Sequence, residues 1–361
     1  MKLKANIVTL NESFFGEIEF DKKIIAITKI DHPKENTDWI YPGAIDLHVH
    51  GGGGGDFMQD ESQIRTILRT HLKLGTTGLL ATTVTDSQDR LEKTFQHIAH
   101  VIKNQKNDEA RILGIHLEGP FIDPHKLGAQ PDLARPFNLK EIINLHHISP
   151  IKIITVAPES GLSFEDISEL QKNHIMVQLG HSNASYEEVL PLIQAGAKSF
   201  THLYNAMSGL HHRKPGMVGA ALAHADFAEL IPDLLHVHPG AIKVALRSIP
   251  HLYFVTDSTS ATGMPDGEYQ LGTHQVHKCQ NGVRLKDGTL AGSCLSMGEA
   301  LKNALALDLM PHEAASKIAM IPARLLTLRD RGDIAIDKRA DLMILNSQHQ
   351  LQQVYLEGSK V

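Results

Sequence analysis

Two histidines, His48 and His50, stand at the end of the apolar run "PGAIDLHVH" and are followed by five glycines. Side chains two apart on a strand share one face, so both imidazoles can reach the same ion or proton carrier. Further on, Glu118 lies in "ILGIHLEG", His181 in "IMVQLGHS" and His202 in "SFTHLYN". A carboxylate at the end of a buried strand is costly unless a cation or several donors meet it. Glu118, His181 and His202 therefore read as three ligands of one divalent transition metal. Nitrogen and oxygen donors of this kind suit Zn first, and also Fe, Mn or Co, with a fourth position open to water. Asp257 ends "HLYFVTDS" before a turn rich in Ser, Thr and Gly. Beside an activated water, such a carboxylate can take a proton and return it to a leaving group; its plainer alternative is a helix N-cap. His116, on the same strand as Glu118, reads as a residue behind the ligands or a satisfied core histidine. His211, His212, His224 and His238 read mostly as loop or surface residues.

Eight apolar β-type runs organise these residues: 44–50, 77–84, 112–119, 151–158, 175–182, 199–205, 227–233 and 251–258. Their starts are spaced by roughly one βα unit, about 30 residues. Near-continuous apolar strands indicate a parallel sheet covered on both faces. Amphipathic segments such as 61–75 and 185–196 lie between them, the second opened by Ser185 with Glu188 three later, a capping box. The pattern predicts an α/β fold, a (β/α)8 TIM barrel over 43–325. The candidate residues then sit at the C-terminal ends of successive strands, where barrels of this kind keep their reactive groups. Residues 1–42 and 326–361 alternate over short spans and predict a small β-sandwich made by both termini.

Composition narrows the function. A net charge of −6 with scattered Lys and Arg gives no footprint for nucleic acid. No apolar run approaches the length of a membrane span, and the first residues lack a signal-peptide core. Two cysteines make a disulfide framework improbable and suit a reducing cytoplasm.

At these residues the chain resembles a known family. "PGAIDLHVHG", "HLEGPF", "LGHSNA", "THLYNAM", "HHRKPGMVGA", "VTDSTSATGMPDG" and "LAGSCLSM" occur in order over about residues 40–300. They are similar to the N-acetylglucosamine-6-phosphate deacetylases of the amidohydrolase superfamily, and "GDIAIDKRADLMIL" resembles that superfamily's closing strands. HxH alone is weakly specific; the ordered set at strand ends is strongly so. The resemblance implies hydrolysis of the N-acetyl group of a 6-phosphorylated amino sugar, by a homodimer with phosphate contacts across the interface. It implies metal binding by Glu118, His181 and His202 and catalysis by Asp257. It further implies substrate contacts from Ala129, Gln130, Asn205, Ala206, Arg213, Asp233, His236, Leu290, Ala291 and Gly292, with Arg213 and His236 on the phosphate. Members that keep the HxH pair can bind two metals, so His48 and His50 are candidate ligands of a second. The glycines after them read as backbone passing close to a metal or substrate.

Two positions depart from the family pattern. "KLGAQP" places Gln130 where members commonly have a histidine that polarises the acetyl carbonyl, with His125 nearby. "PDLLHVH" has Leu234 where glycine is usual. Three rival readings exist. The sister activity on N-acetylgalactosamine 6-phosphate shares "GLHHRKPGMVGA" and "AGSCLSM". Dihydroorotases and hydantoinases bridge two metals with a carboxylated lysine on the fourth strand. Here that strand has Lys152 at its start and Pro158 at its end, and Glu118 takes the bridging role instead. A catalytically dead barrel is expected to lack Asp257 or a ligand, and none is missing.

Overall fold

In the computed structural model, which describes residues 1–31, 37–279 and 282–361, four strands open the chain. They are β1 (Lys2–Val8), β2 (Ser13–Phe20), β3 (Ile24–Lys29) and β4 (Trp39–Pro42). Next come β5 (Ala44–Val49), the short ribbon β6 (Gly51–Gly52) and β7 (Gly55–Asp56), then α1 (Glu61–Lys73) and β8 (Thr76–Thr82). The alternation continues with α2 (Gln88–Lys103), β9 (Arg111–Glu118), α3 (Leu139–Ile148), β10 (Ile151–Val156) and α4 (Phe164–Lys172). It ends with β11 (Met176–Leu179), α5 (Tyr186–Gln194), β12 (Ser199–Phe200), α6 (Gly216–His224), β13 (Phe227–Leu230), α7 (Pro239–Ser248) and β14 (His251–Phe254). A four-stranded antiparallel sheet follows: β15 (Gly267–Leu271), β16 (His274–Cys279), β17 (Gly282–Arg284) and β18 (Leu290–Ser293). After helix α8 (Met297–Ala306) and further helical turns, β19 (Leu342–Leu345), β20 (Leu351–Leu356) and β21 (Ser359–Lys360) close the chain.

Eight parallel strands pair in the order β5, β8, β9, β10, β11, β12, β13, β14. Every residue of β5 and β8 is buried, as strands covered on both faces require. First and last strands meet where Val49 pairs with Ser258 and the Asp257 amide donates to His48 O at 2.9 Å. The barrel expected from the sequence is therefore present, and the capping box of Ser185 and Glu188 forms as expected.

Regular strand stops earlier than the apolar runs, at 179, 200 and 254 among others. The reason is local. His181, His202 and Asp257 have positive φ, at 48°, 25° and 50°, which an extended strand cannot hold. Strain of this kind persists where surrounding contacts over-determine it, and it gathers at functional sites.

The two termini join in one seven-stranded sheet of order β21, β20, β19, β4, β1, β2, β3. Phe20 of β2 and Tyr355 of β20 have three strands between them in that order, yet their rings lie 5.3 Å apart edge to face. The sheet thus curls so that its halves face each other across Ile7, Ile18, Phe20, Ile40 and Leu342. That is the sandwich the alternating ends predict.

Candidate active site

Glu118, last in β9 and 1% exposed, lies at the centre of the strand ends. One of its oxygens, Oε1, is 3.1 Å from Nε2 of His181 and 3.1 Å from Nε2 of His202, and those nitrogens are 3.0 Å apart. Its Oε2 faces the other way, 3.1 Å from His50 Nε2 and 3.5 Å from His48 Nε2. Asp257 Oδ1 completes that second group at 3.2 Å from His50 and 3.4 Å from His48. Glu118 thus stands between two sets of converging donors.

The donor set fits a divalent transition ion. Ligands about 2.1 Å from one ion lie roughly 3.0–3.4 Å from one another, which is the spacing found here. His181 donates from Nδ1 to the Lys126 carbonyl at 2.8 Å, leaving the Nε2 lone pair inward. Charge points the same way. Burial alone pushes the Glu118 carboxyl up, yet His48, His181 and His202 together hold it well below the usual carboxylate range. Burial lowers His48, but Glu118, Glu229 and Asp257 outweigh that and carry it well above the ordinary imidazole value. His50, opposed by burial and favoured by Asp257 and Glu118, rises to about 9. Buried carboxylates here draw positive charge onto imidazoles; a divalent ion supplies that charge while leaving the rings neutral.

Asp257 is fixed from both sides. Its N–H donates to His48 O, and its carbonyl accepts from Ser293 N at 2.7 Å. Gly292, at φ 60°, makes this approach possible, since a Cβ there would stand 2.8 Å from the Asp257 carbonyl oxygen. The glycine run after His50 has a comparable task, different from the one its composition suggests. Gly51, Gly53 and Gly54 donate to the carbonyls of Ser258, Thr262 and Ser260. A Cβ on Gly51 would stand 2.6 Å from Ser260 N. The run therefore packs backbone on the segment that follows Asp257, and none of its glycines lines the cavity over the site.

A cavity of about 350 Å³ opens over these groups. Its wall includes His50, Glu118, His181, His202 and Asp257, with Ala129, Gln130, Asn205, Ala206, His236, Leu290 and Gly292 among the substrate positions expected from the sequence. His125 and Lys126 line it as well. Asp233 stands behind His236, its Oδ2 2.7 Å from Nδ1, while Ala291 is buried outside the wall. Burial lowers the His236 imidazole and Asp233 more than restores it, so His236 titrates above its ordinary value.

Two expected residues stand differently. Gln130 accepts from Thr85 N at 2.6 Å through Oε1 and donates through Nε2 to Glu118 Oε2. It tethers Glu118 through one N–H while lining the cavity, and its amide carries a second N–H. Arg213 lies outside the cavity on the exposed hairpin of His211 and Lys214, its Nη1 2.8 Å from His212 Nε2. His116 packs behind His48 with both nitrogens engaged, on Leu47 O at 3.0 Å and Thr155 Oγ1 at 2.8 Å. His224 and His238 stay away from the cavity, the first against Tyr186 and the second capping α7. Sequence reading missed Glu229, a buried carboxylate 2.8 Å from His48 Nδ1. Its signal was the one that flagged Glu118: an acid inside an apolar strand, "FAELIPD".

The amidohydrolase family profile matches residues 39–361. An N-acetylglucosamine-6-phosphate deacetylase of Bacillus subtilis is 37% identical over 96% of this chain and 90% of its own. An N-acetylgalactosamine-6-phosphate deacetylase of Escherichia coli O157:H7 is 35% identical over 90% of this chain and 88% of its own. Among solved structures, a mutant N-acetyl-D-glucosamine-6-phosphate deacetylase of Mycobacterium smegmatis, in complex with N-acetyl-D-glucosamine-6-phosphate, superposes with a TM-score of 0.92. It is 29% identical, covering 100% of this chain and 98% of its own. The chain belongs to the amidohydrolase family, in its group of N-acetylglucosamine-6-phosphate deacetylases.

Proposed function

We propose that this chain hydrolyses the N-acetyl group of N-acetylglucosamine 6-phosphate to glucosamine 6-phosphate and acetate. The observation that carries the reading is Glu118 set between two converging donor groups, with Asp257 at one edge, beneath a cavity sized for a small ligand. Glu118, His181 and His202 hold one divalent transition ion, Zn by preference, and His48, His50 and Asp257 flank a second position. When bound, such an ion lowers the pKa of water and polarises the acetyl carbonyl. Asp257 takes the proton of the attacking water and passes it to the sugar nitrogen as the C–N bond breaks. Gln130 keeps Glu118 in place. Asn205, Ala206 and the Leu290–Gly292 strand position the sugar, and His236, raised by Asp233, faces the phosphate.

Arg213 does not reach its own cavity, and the loops beside the mouth expose Leu210, Leu234 and Leu235 at 58%, 38% and 47%. Apolar side chains grouped on recognition loops support a face covered by a second copy. In that homodimer Arg213 serves the neighbouring cavity, its guanidinium fork matching phosphate oxygens. No helix among the described residues is long and apolar enough to cross a membrane. The chain carries two cysteines, a usage that suits a reducing compartment, and the cytoplasm is the compartment we assign.

The test is acetate release from N-acetylglucosamine 6-phosphate, its galactosamine epimer, and both unphosphorylated sugars. The reading expects the largest kcat/KM on the glucosamine phosphate. A larger value on the epimer would reassign the sugar, and release from none of the four would reject the deacetylase.

A further inference from the structure

Glu229 has no part in the chemistry just described, yet the donor groups lean on it. It is the third residue of β13 and fully buried. Oε1 lies 2.8 Å from His48 Nδ1 and accepts the backbone N–H of His202 at 3.1 Å. Oε2 accepts from the Tyr253 hydroxyl at 3.5 Å, and that hydroxyl accepts from Gln178 Nε2 at 2.6 Å. A buried carboxylate persists only with such partners, and it dictates theirs in turn. With Nδ1 of His48 donating to Glu229, the Nε2 lone pair is left facing His50, Asp257 and Glu118. His116 cannot take over this task, because both of its nitrogens are engaged on Leu47 and Thr155.

We propose that Glu229 is the positioning residue that makes the His48–His50–Asp257 half of the centre competent to hold a divalent cation, beside the one held by Glu118, His181 and His202. A carboxylate on the far nitrogen fixes the tautomer and orientation of a ligating imidazole and strengthens it as a donor. Glu229 reaches His48 through such a contact, but reaches His202 only through backbone, so the two halves depend on it unequally. The inference rests on the metal-centre reading above and adds which residue decides between one ion and two.

Calorimetric titration of the metal-stripped full-length protein with Zn²⁺ tests it, together with metal content after gel filtration and melting curves. Wild type takes up two equivalents. Glu229→Gln keeps the size and an acceptor oxygen but removes the charge. It weakens one equivalent by about 10–100-fold and leaves the other unchanged, with an unaltered melting curve. His48→Ala loses that same equivalent. Glu229→Ala abolishes it where the variant folds, and the Gln variant decides where it does not. Wild type holding a single equivalent, or Glu229→Gln weakening both equivalents equally or neither, would overturn the proposal. Failure of the deacetylase reading looks different: two ions bound and no acetate released.

Discussion

The two ends of the cavity are built in contrasting ways. At the floor, Glu118, His48, His50, His181, His202 and Asp257 are all buried and in polar contact across several strands. At the mouth, Arg213, Leu210 and Leu235 are exposed on loops, and the expected phosphate cation is outside the wall. Bond-breaking chemistry requires groups fixed to fractions of an ångström, which rigid strand ends supply. Recognition of a hydrated phosphate tolerates loops and, in the proposed homodimer, gains reach from a second copy. A buried floor built from one chain and an exposed mouth whose expected cation stands outside the wall is the contrast the fold presents.

The largest effects should come from the floor. Glu118→Ala, His181→Ala or His202→Ala each removes a ligand, and elemental analysis should find the principal ion lost and acetate release at background. Full occupancy in all three variants would remove the assignment of this trio.

At the mouth the effect should be smaller and confined to phosphorylated substrate. A charge-assisted contact is worth roughly 1.5–3 kcal/mol, about ten- to a hundredfold. Arg213→Ala should lose that factor on the sugar phosphate and leave the residual rate on the unphosphorylated sugar intact. The contrast sharpens in a mixture. Copies carrying Arg213→Ala and copies carrying Asp257→Asn should regain activity when refolded together, because one mixed site receives an intact Arg213 beside an intact Asp257. No gain in the mixture would place Arg213 in its own cavity or nowhere near one.

Smaller still is a pH effect on stability beneath the floor. His71, buried under the glycine ribbon with Nε2 on Gly51 O at 2.9 Å, is driven by burial down to about 4. A depressed imidazole binds its proton more weakly folded than unfolded, so its contribution is complete above about pH 6.5 and is lost toward pH 4. The loss is on the order of 3 kcal/mol. Melting temperature should fall across that window, and His71→Gln should make the fall shallower. An unchanged slope would mean that His71 is not held neutral.

Legibility in the sequence follows the same division. The barrel could be read because buried parallel strands are apolar throughout and spaced by one βα unit. Glu118 could be read because an acid in such a strand demands a partner, and Glu229 carried the same signal. The left-handed φ of His181, His202 and Asp257 could not be read, since none of the three is the glycine that such a conformation favours. Gln130 is matched to the acetyl group by its place in the family pattern, while its bond from Thr85, on a different strand connection, is a contact that spacing cannot reveal. Arg213 was matched by motif, and motif says nothing about which copy of a chain a loop faces.

The central claim is that Asp257 carries the proton in an amide hydrolysis at the floor. Acetate and free amine released from N-acetylglucosamine 6-phosphate, measured for wild type and Asp257→Asn at equal occupancy of the Glu118–His181–His202 ion, test it most directly. The account predicts equimolar products from wild type and a loss of about 10²–10⁴-fold in the variant, the usual worth of a positioned acid–base group. An Asp257→Asn protein that folds, holds its ion and keeps more than about a tenth of wild-type turnover would contradict it.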